Sequence, residues 1–252
     1  MTLNLKDITT YLDDYLGIAD VNDSPQALNG LQVENTGNVS RVAVAVDVCR
    51  TTIDRAVEMG ADFMVVHHGL FWGGLQPLVA YHGLRVRTLI KHDIALYSAH
   101  LPLDLHPEVG NNAVLARELR LEDIERFGEY EGQTIGYSGT LAASRDELAA
   151  RIRVVLGVDP KVIATGPETV HRVGIVSGGA GKLITQVAEA GLDTYVTGEG
   201  GHHTYFDAEE ARVNLIYAGH YATETVGVKA LAHHLEDRFG IPWEFIDHPT
   251  GL

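Results

Sequence analysis

Four of this chain's thirteen histidines fall with carboxylates in four short stretches at predicted strand exits. They are Val65-Val66-His67-His68-Gly69-Leu70-Phe71-Trp72, His100-Leu101-Pro102-Leu103-Asp104, Thr197-Gly198-Glu199 and Gly219-His220-Tyr221-Ala222-Thr223-Glu224. Imidazole and carboxylate without thiolate suit Zn, Mn or Fe(II), and suit Mg less well because of the histidines. One tetrahedral ion takes four ligands, and these stretches offer more than that. The excess fits two ions roughly 3.5–4 Å apart, bridged by a carboxylate, as in metal-dependent hydrolases. The competing reading of His67-His68 is two loop histidines. Adjacent residues on a strand point to opposite faces, so the pair can share a site only at a strand exit. Gly69 supplies the turn there, and open α/β sheets bind ligands at the carboxyl ends of their strands.

His220 and Glu224 are four residues apart. A helix starting near Tyr221 puts Glu224 in its first turn, where residues four apart share a face. The plainer alternative is a carboxylate that offsets the helix dipole. His100 has three readings: a ligand, a partner orienting a ligand, or a packed strand-end residue. The second is favoured. His202 and His203 follow Glu199 closely and are candidates for lining the same cleft. His233 and His234 lie mid-helix and read as surface or packing residues. Cys49 reads as strand-end packing with no ligand role. Ser177-Gly178-Gly179-Ala180-Gly181-Lys182-Leu183 has the look of a phosphate loop, but the Walker pattern needs Gly at 176 and Ser or Thr at 183, where Val176 and Leu183 stand. A strand-to-helix turn is the better account. No nucleophile-elbow sequence for Ser/His/Asp catalysis occurs.

Composition narrows the function further. The 252 residues are 45% hydrophobic and 21% charged, ordinary for a globular protein. No apolar run approaches the ~20 residues that span a bilayer, and the N-terminus has no signal-peptide core. One cysteine excludes an intramolecular disulfide and a cysteine-rich zinc site. A cytoplasmic location is the default expectation, with no membrane partner. The formal charge of −15 argues against nucleic-acid binding, which depends on neutralising phosphates. A phosphate-bearing substrate would need local positive charge, which bound metal ions supply.

The elements that must position these residues alternate between strand and helix. A helix over Leu5–Leu16 ends at Gly17, and residues 19–30 read as a loop before a short strand at 31–34. Strands follow at 41–47, 62–66 and 94–98, with helices at 51–59, 84–92 and 111–119. The second half repeats the order, with strands at 135–141, 161–165, 172–176, 193–197, 214–218 and 243–246. Its helices lie at about 144–157, 183–190, 207–211 and 223–239, the first opened by the capping box Ser144-Arg145-Asp146-Glu147. Residues 41–69 shifted by 131 positions fall on 172–200 without a gap. Arg41, Ile53, Glu58, Gly60, Asp62 and Gly69 then meet Arg172, Ile184, Glu189, Gly191, Asp193 and Gly200, and His67-His68 lies over Gly198-Glu199. A shift of 120 sets Tyr97, His100 and Asp104 over Tyr217, His220 and Glu224. This pattern predicts an α/β fold of two related lobes from a tandem duplication, 1–125 and 126–252, or one intertwined domain, with the metal cleft between the lobes.

The four stretches, in this order and over nearly the full length, resemble the NIF-three-like dinuclear metal-centre family. Gly110-Asn111-Asn112 and Phe245-Ile246-Asp247 extend the likeness. Bacterial members carry the name GTP cyclohydrolase I type 2 homologue. The resemblance implies the NIF-three-like fold in its compact form, without the extra mid-chain domain of longer members. It implies a homo-hexameric toroid with metal pairs facing its cavity. Mapped motif by motif, it implies two divalent metal ions per chain held by His67, His68, Asp104, His220 and Glu224, with Glu224 bridging. Glu199 gains no ligand role from it. The implied function is a metal-dependent hydrolase acting on a small molecule such as a nucleotide, with GTP ring opening as the lead named activity. The rival is a non-catalytic hexameric scaffold, or a protein that stores or delivers metal.

Overall fold

A computed structural model of the chain describes residues 2–24 and 26–252. The first half contains β1 (Leu3–Asn4), α1 (Leu5–Leu16), β2 (Gly30–Val33), β3 (Asn38–Val39), β4 (Val42–Asp47), α2 (Arg50–Glu58), β5 (Phe63–His68), α3 (Ala80–Lys91), β6 (Ala95–Ser98), α4 (Leu101–Asp104) and α5 (Asn111–Glu118). The second contains β7 (Glu122–Tyr130), β8 (Gln133–Ser144), α6 (Arg145–Leu156), β9 (Lys161–Ile163), β10 (Thr169–Val176), α7 (Ile184–Glu189), β11 (Thr194–Thr197), α8 (Thr204–Ala211), β12 (Asn214–Tyr217), α9 (His220–Phe239) and β13 (Trp243–Phe245). A 3-10 turn, Gly181–Leu183, precedes α7. Among the described residues, no helix is long and apolar enough to cross a membrane.

Two compact units result. The first comprises residues up to Val109 together with Val228–His248, and the second comprises Gly110–Gly227 with Pro249–Leu252. The units therefore exchange segments relative to a simple halfway division at 125/126. Residues 110–125 belong with the second unit, and the C-terminal part of α9 belongs with the first.

In the first unit, five strands run in the order β13-β4-β5-β6-β2. β13, β4, β5 and β6 are parallel, and β2 closes the edge antiparallel to β6. The strand Val42–Asp47 is buried nearly throughout, as expected where helices cover both faces of a parallel sheet. Its alternate residues serve different cores. Val42 and Val44 pack with Leu5, Ile8, Leu12, Leu231 and Leu235. Ala43 and Ala45 pack with Ile53, Met64, Val66 and Leu89.

The second unit has six strands in the order β7-β8-β10-β11-β12-β9. β10, β11 and β12 are parallel, with β8 and β9 antiparallel on either side. Its core joins Leu148 and Ile152 of α6 to Val173, Ile175, Val196 and Ile216 of the sheet. The capping box forms: the Glu147 amide donates to Ser144 Oγ at 3.2 Å, and the Ser144 amide donates to Glu147 Oε2 at 2.7 Å.

One order recurs in both sheets. β2-β6-β5-β4 in the first has the same directions and chain order as β9-β12-β11-β10 in the second. The recurrence extends to single hydrogen bonds. Asp62 accepts the amides of Ser40 and Arg41 at 2.9 and 3.1 Å. Asp193, 131 positions later, accepts those of His171 and Arg172, both at 2.9 Å.

Candidate metal centre

In the first unit, β5 carries both histidines to its carboxyl end. Pairing with β6 stops at Val66, one residue before His67. On the other side Asp47 of β4 stands opposite His68. Gly69 follows because a side chain there would collide: a Cβ would lie 2.3 Å from Gln32 Nε2 and 2.7 Å from Ser98 Oγ. The two rings come together, with centroids 4.6 Å apart, and the His100 ring lies 4.9 Å from His67. Nitrogen atoms of His67, His68 and His100 all fall within 4.8 Å of one another. His67 is completely buried. Its Nε2 faces Asp104 Oδ2 at 3.7 Å. Asp104 is itself buried, one turn after His100 on α4, where its amide donates to the His100 carbonyl at 3.1 Å. Two donors on one tetrahedral zinc, each at ~2.0–2.1 Å, lie about 3.4 Å apart, so the His67–Asp104 spacing suits a shared ion.

The remaining imidazole nitrogens are also engaged. His67 Nδ1 lies 3.0 Å from the Ala99 carbonyl oxygen. His68 Nδ1 lies 2.9 Å from Asp47 Oδ1. His100 Nδ1 lies 2.9 Å from Asp23 Oδ1. Asp23 comes from the connection between α1 and β2, which the sequence left as an undifferentiated loop. Its carboxylate also accepts from the Leu101 amide at 3.0 Å and from Asn29 Nδ2 at 2.8 Å. These bonds to fixed partners, and the positive charge His100 can carry, hold the Asp23 carboxyl below its ordinary range despite the opposing and larger single effect of burial.

In the second unit the site grows from the ends of β10, β11 and β12. The helix α9 begins at His220, so His220 and Glu224 are both helical and share a face. His220 Nε2 lies 3.2 Å from Glu224 Oε1. Its Nδ1 lies 2.8 Å from Oε1 of Glu199, just beyond β11. The Glu224 carboxylate, followed by Glu199, raises the His220 imidazole to about 9 against the lowering effect of burial. Gly178, at the end of β10, makes room for this pair. A Cβ at Gly178 would lie 2.5 Å from Glu224 Oε1 and 3.5 Å from His220 Nε2, and its φ of +65° is strained for any other residue. The Gly178 amide donates to Thr223 Oγ1 at 3.0 Å and its carbonyl accepts from the Glu199 amide at 3.0 Å. The glycine run read from sequence as a plain turn is thus a wall of this site.

The structure sorts the other candidates. His202 turns to an apolar cavity of about 390 Å³ that it lines with Tyr205, Phe206 and Tyr217. His203 is exposed at the start of α8. His233 pairs with Trp243, and His234 stacks on Tyr15 at 4.1 Å. Cys49 caps α2 beside Thr52. Sequence reasoning misses Asp23 and Asp47, and gives Gly178 only a place in a turn. Only Asp47 had a visible signal there, an acid at a strand's carboxyl end.

The donor sets fit divalent metal: imidazole and carboxylate oxygen in each unit, with Gly178 holding open a cradle that a Cβ would fill. Known proteins resemble this chain over nearly its full length. A "GTP cyclohydrolase 1 type 2 homolog" of Deinococcus radiodurans is 46% identical, covering 98% of this chain and 94% of its own. One from Pyrococcus abyssi is 43% identical over 98% and 99%. The crystal structure of TTHA1606 from Thermus thermophilus superposes with a TM-score of 0.92 at 44% identity, covering 99% of this chain and all of that one. Reduced HcgD from Methanocaldococcus jannaschii, 24% identical, shares the fold at a TM-score of 0.87 over 98% and 99%. A family profile described as Duf34/NIF3 (NGG1p interacting factor 3) matches residues 3–250, and the chain belongs to that family.

Proposed function

We propose that this protein binds two divalent ions per chain through His67, His68, Asp104, His220 and Glu224 and works as a metal-dependent hydrolase. Zn, Mn and Fe are the ions its donors suit. Bound there, the ions would supply Lewis acidity and an activated water. The observation that carries the reading is the pair of imidazole–carboxylate sets at strand exits, His67–Asp104 at 3.7 Å and His220–Glu224 at 3.2 Å. Neither set alone fills the coordination of two ions, and Glu224 is the carboxylate proposed to bridge. GTP is the first substrate to test, because relatives at 36–46% identity carry that name.

Metal analysis of the purified protein, followed by hydrolase and nucleotide panels on the same sample, tests this directly. We expect about two ions per chain in wild type and one or fewer in Glu224→Ala, as loss of a bridge demands. Equal metal content in the two would sink the bridging assignment. A full metal complement without turnover on any substrate would favour storage, delivery or scaffolding instead. We further propose a cytoplasmic homo-hexamer; a stable species at the 27.4 kDa monomer mass in sedimentation at micromolar concentration would refute the assembly.

A further inference from the structure

Four imidazoles in the two clusters use the same nitrogen for the same purpose. Nδ1 of His67, His68, His100 and His220 faces an acceptor at 3.0, 2.9, 2.9 and 2.8 Å. The acceptors are one backbone carbonyl and three carboxylates, none of which donates a hydrogen in its ordinary state. Nδ1 therefore carries the proton of a neutral ring at His67, His68 and His100, with the lone pair on Nε2. At His220, where Glu224 Oε1 also lies 3.2 Å from Nε2, Nδ1 keeps its hydrogen and Nε2 becomes a donor to metal only when an ion takes the place of its proton.

We propose that Asp47 and Glu199 are positioning residues of the metal centre, fixing His68 and His220 in the Nδ1–H tautomer with Nε2 as the donor atom. The inference rests on the two-ion reading above. Both carboxylates hang from backbone that is itself held. Asp47 pairs with His68 across β4 and β5, and the Val48 amide donates to the His68 carbonyl at 3.2 Å. Glu199 is pinned through its amide to Gly178 at 3.0 Å and through its carbonyl to the Gly181 amide at 3.1 Å. A surface ion pair between free side chains contributes little to stability. Acceptors built on neighbouring strand ends instead restrict ring rotation, which matters only if the opposite nitrogen has a partner to meet. Asp23 acts on His100 in the same way, and the Ala99 carbonyl acts on His67.

The test uses the full-length protein labelled with 15N-histidine. In metal-free wild type at alkaline pH, two-bond 1H–15N correlation should show His68 protonated at Nδ1 and bare at Nε2. In zinc-loaded protein both His68 and His220 should keep the Nδ1 hydrogen and bind through Nε2. Asp47→Ala and Glu199→Ala should each weaken zinc binding by roughly 10–100-fold, the usual effect of removing such an outer partner. Asp47→Asn and Glu199→Gln retain an oxygen acceptor and should recover most of that loss, which separates orientation from charge. A His68 ring protonated at Nε2, or unchanged zinc affinity in both alanine variants, would overturn the proposal. If wild type takes up no zinc, the two-ion reading falls, while the His68 tautomer in metal-free protein still decides whether Asp47 positions it.

Discussion

His220 lies between two carboxylates, and that placement sets how the second cluster responds to pH. Its imidazole is raised from the ordinary 6.5 to about 9, by Glu224 first and Glu199 after it, so the metal-free fold holds the proton more tightly than the unfolded chain does. The stabilisation that this proton provides is complete below pH 6.5 and is lost as pH rises through about 9. A metal ion needs the nitrogen unprotonated, so binding works in the opposite direction. Apparent zinc affinity should climb by about tenfold per pH unit across that window, with one proton released per ion bound at this ring. Calorimetry in buffers of differing ionisation enthalpy counts that proton. A pH-independent affinity, or no proton released near neutrality, would show that His220 is not a ligand.

Strand exits place these residues, and the repeated sheet order explains why the exits correspond. The shift that sets Asp47 over Gly178 pairs two positions that each meet a ligand: Asp47 meets His68, and Gly178 makes room for Glu224. The entries to these strands are repeated too, through Asp62 and Asp193. Each carboxylate accepts two backbone amides at the start of the preceding parallel strand. We expect Asp62→Ala and Asp193→Ala each to lower unfolding free energy by on the order of 1 kcal/mol, since the bonds are charge-assisted yet partly solvated. Urea titration measures this, and unchanged midpoints would show the shared motif to be structurally idle. Much of this level was legible in the sequence. Buried Val/Ala runs, Gly17 and Gly157 as helix stops, and the Ser144 capping box all read correctly, because each follows a local rule. β7 did not, since Glu122–Tyr130 is exposed over most of its length and has no burial pattern to read. Asp23 was illegible for a different reason: it acts 77 positions away on His100, and no local periodicity encodes such a contact.

Across the whole molecule, the cores are built without the side chains of the proposed ligands. Apolar residues alone build the core of each unit, and the buried His67, Asp104 and Glu224 stand at strand and helix ends beside it. Metal should therefore stabilise a fold that already exists rather than create it, unlike a zinc finger. An ion that binds the native state alone adds stability of RT ln(1 + [L]/Kd), about 4 kcal/mol at a thousandfold excess over Kd. For a chain of this size that corresponds to a melting temperature higher by roughly 8–16 °C. Removing an ion would also leave Glu199 and Glu224 on either side of His220 in a chain of formal charge −15, so chelation should cost more at low ionic strength than at high. We expect chelated protein to keep its far-ultraviolet circular dichroism at room temperature and to melt earlier, with the lost stability returning on addition of zinc or manganese. In Glu224→Ala, added metal should recover a smaller part of the shift. Collapse of secondary structure on chelation would mean that the metal residues are part of the folding core after all. Identical melting curves with and without metal would mean that nothing binds there.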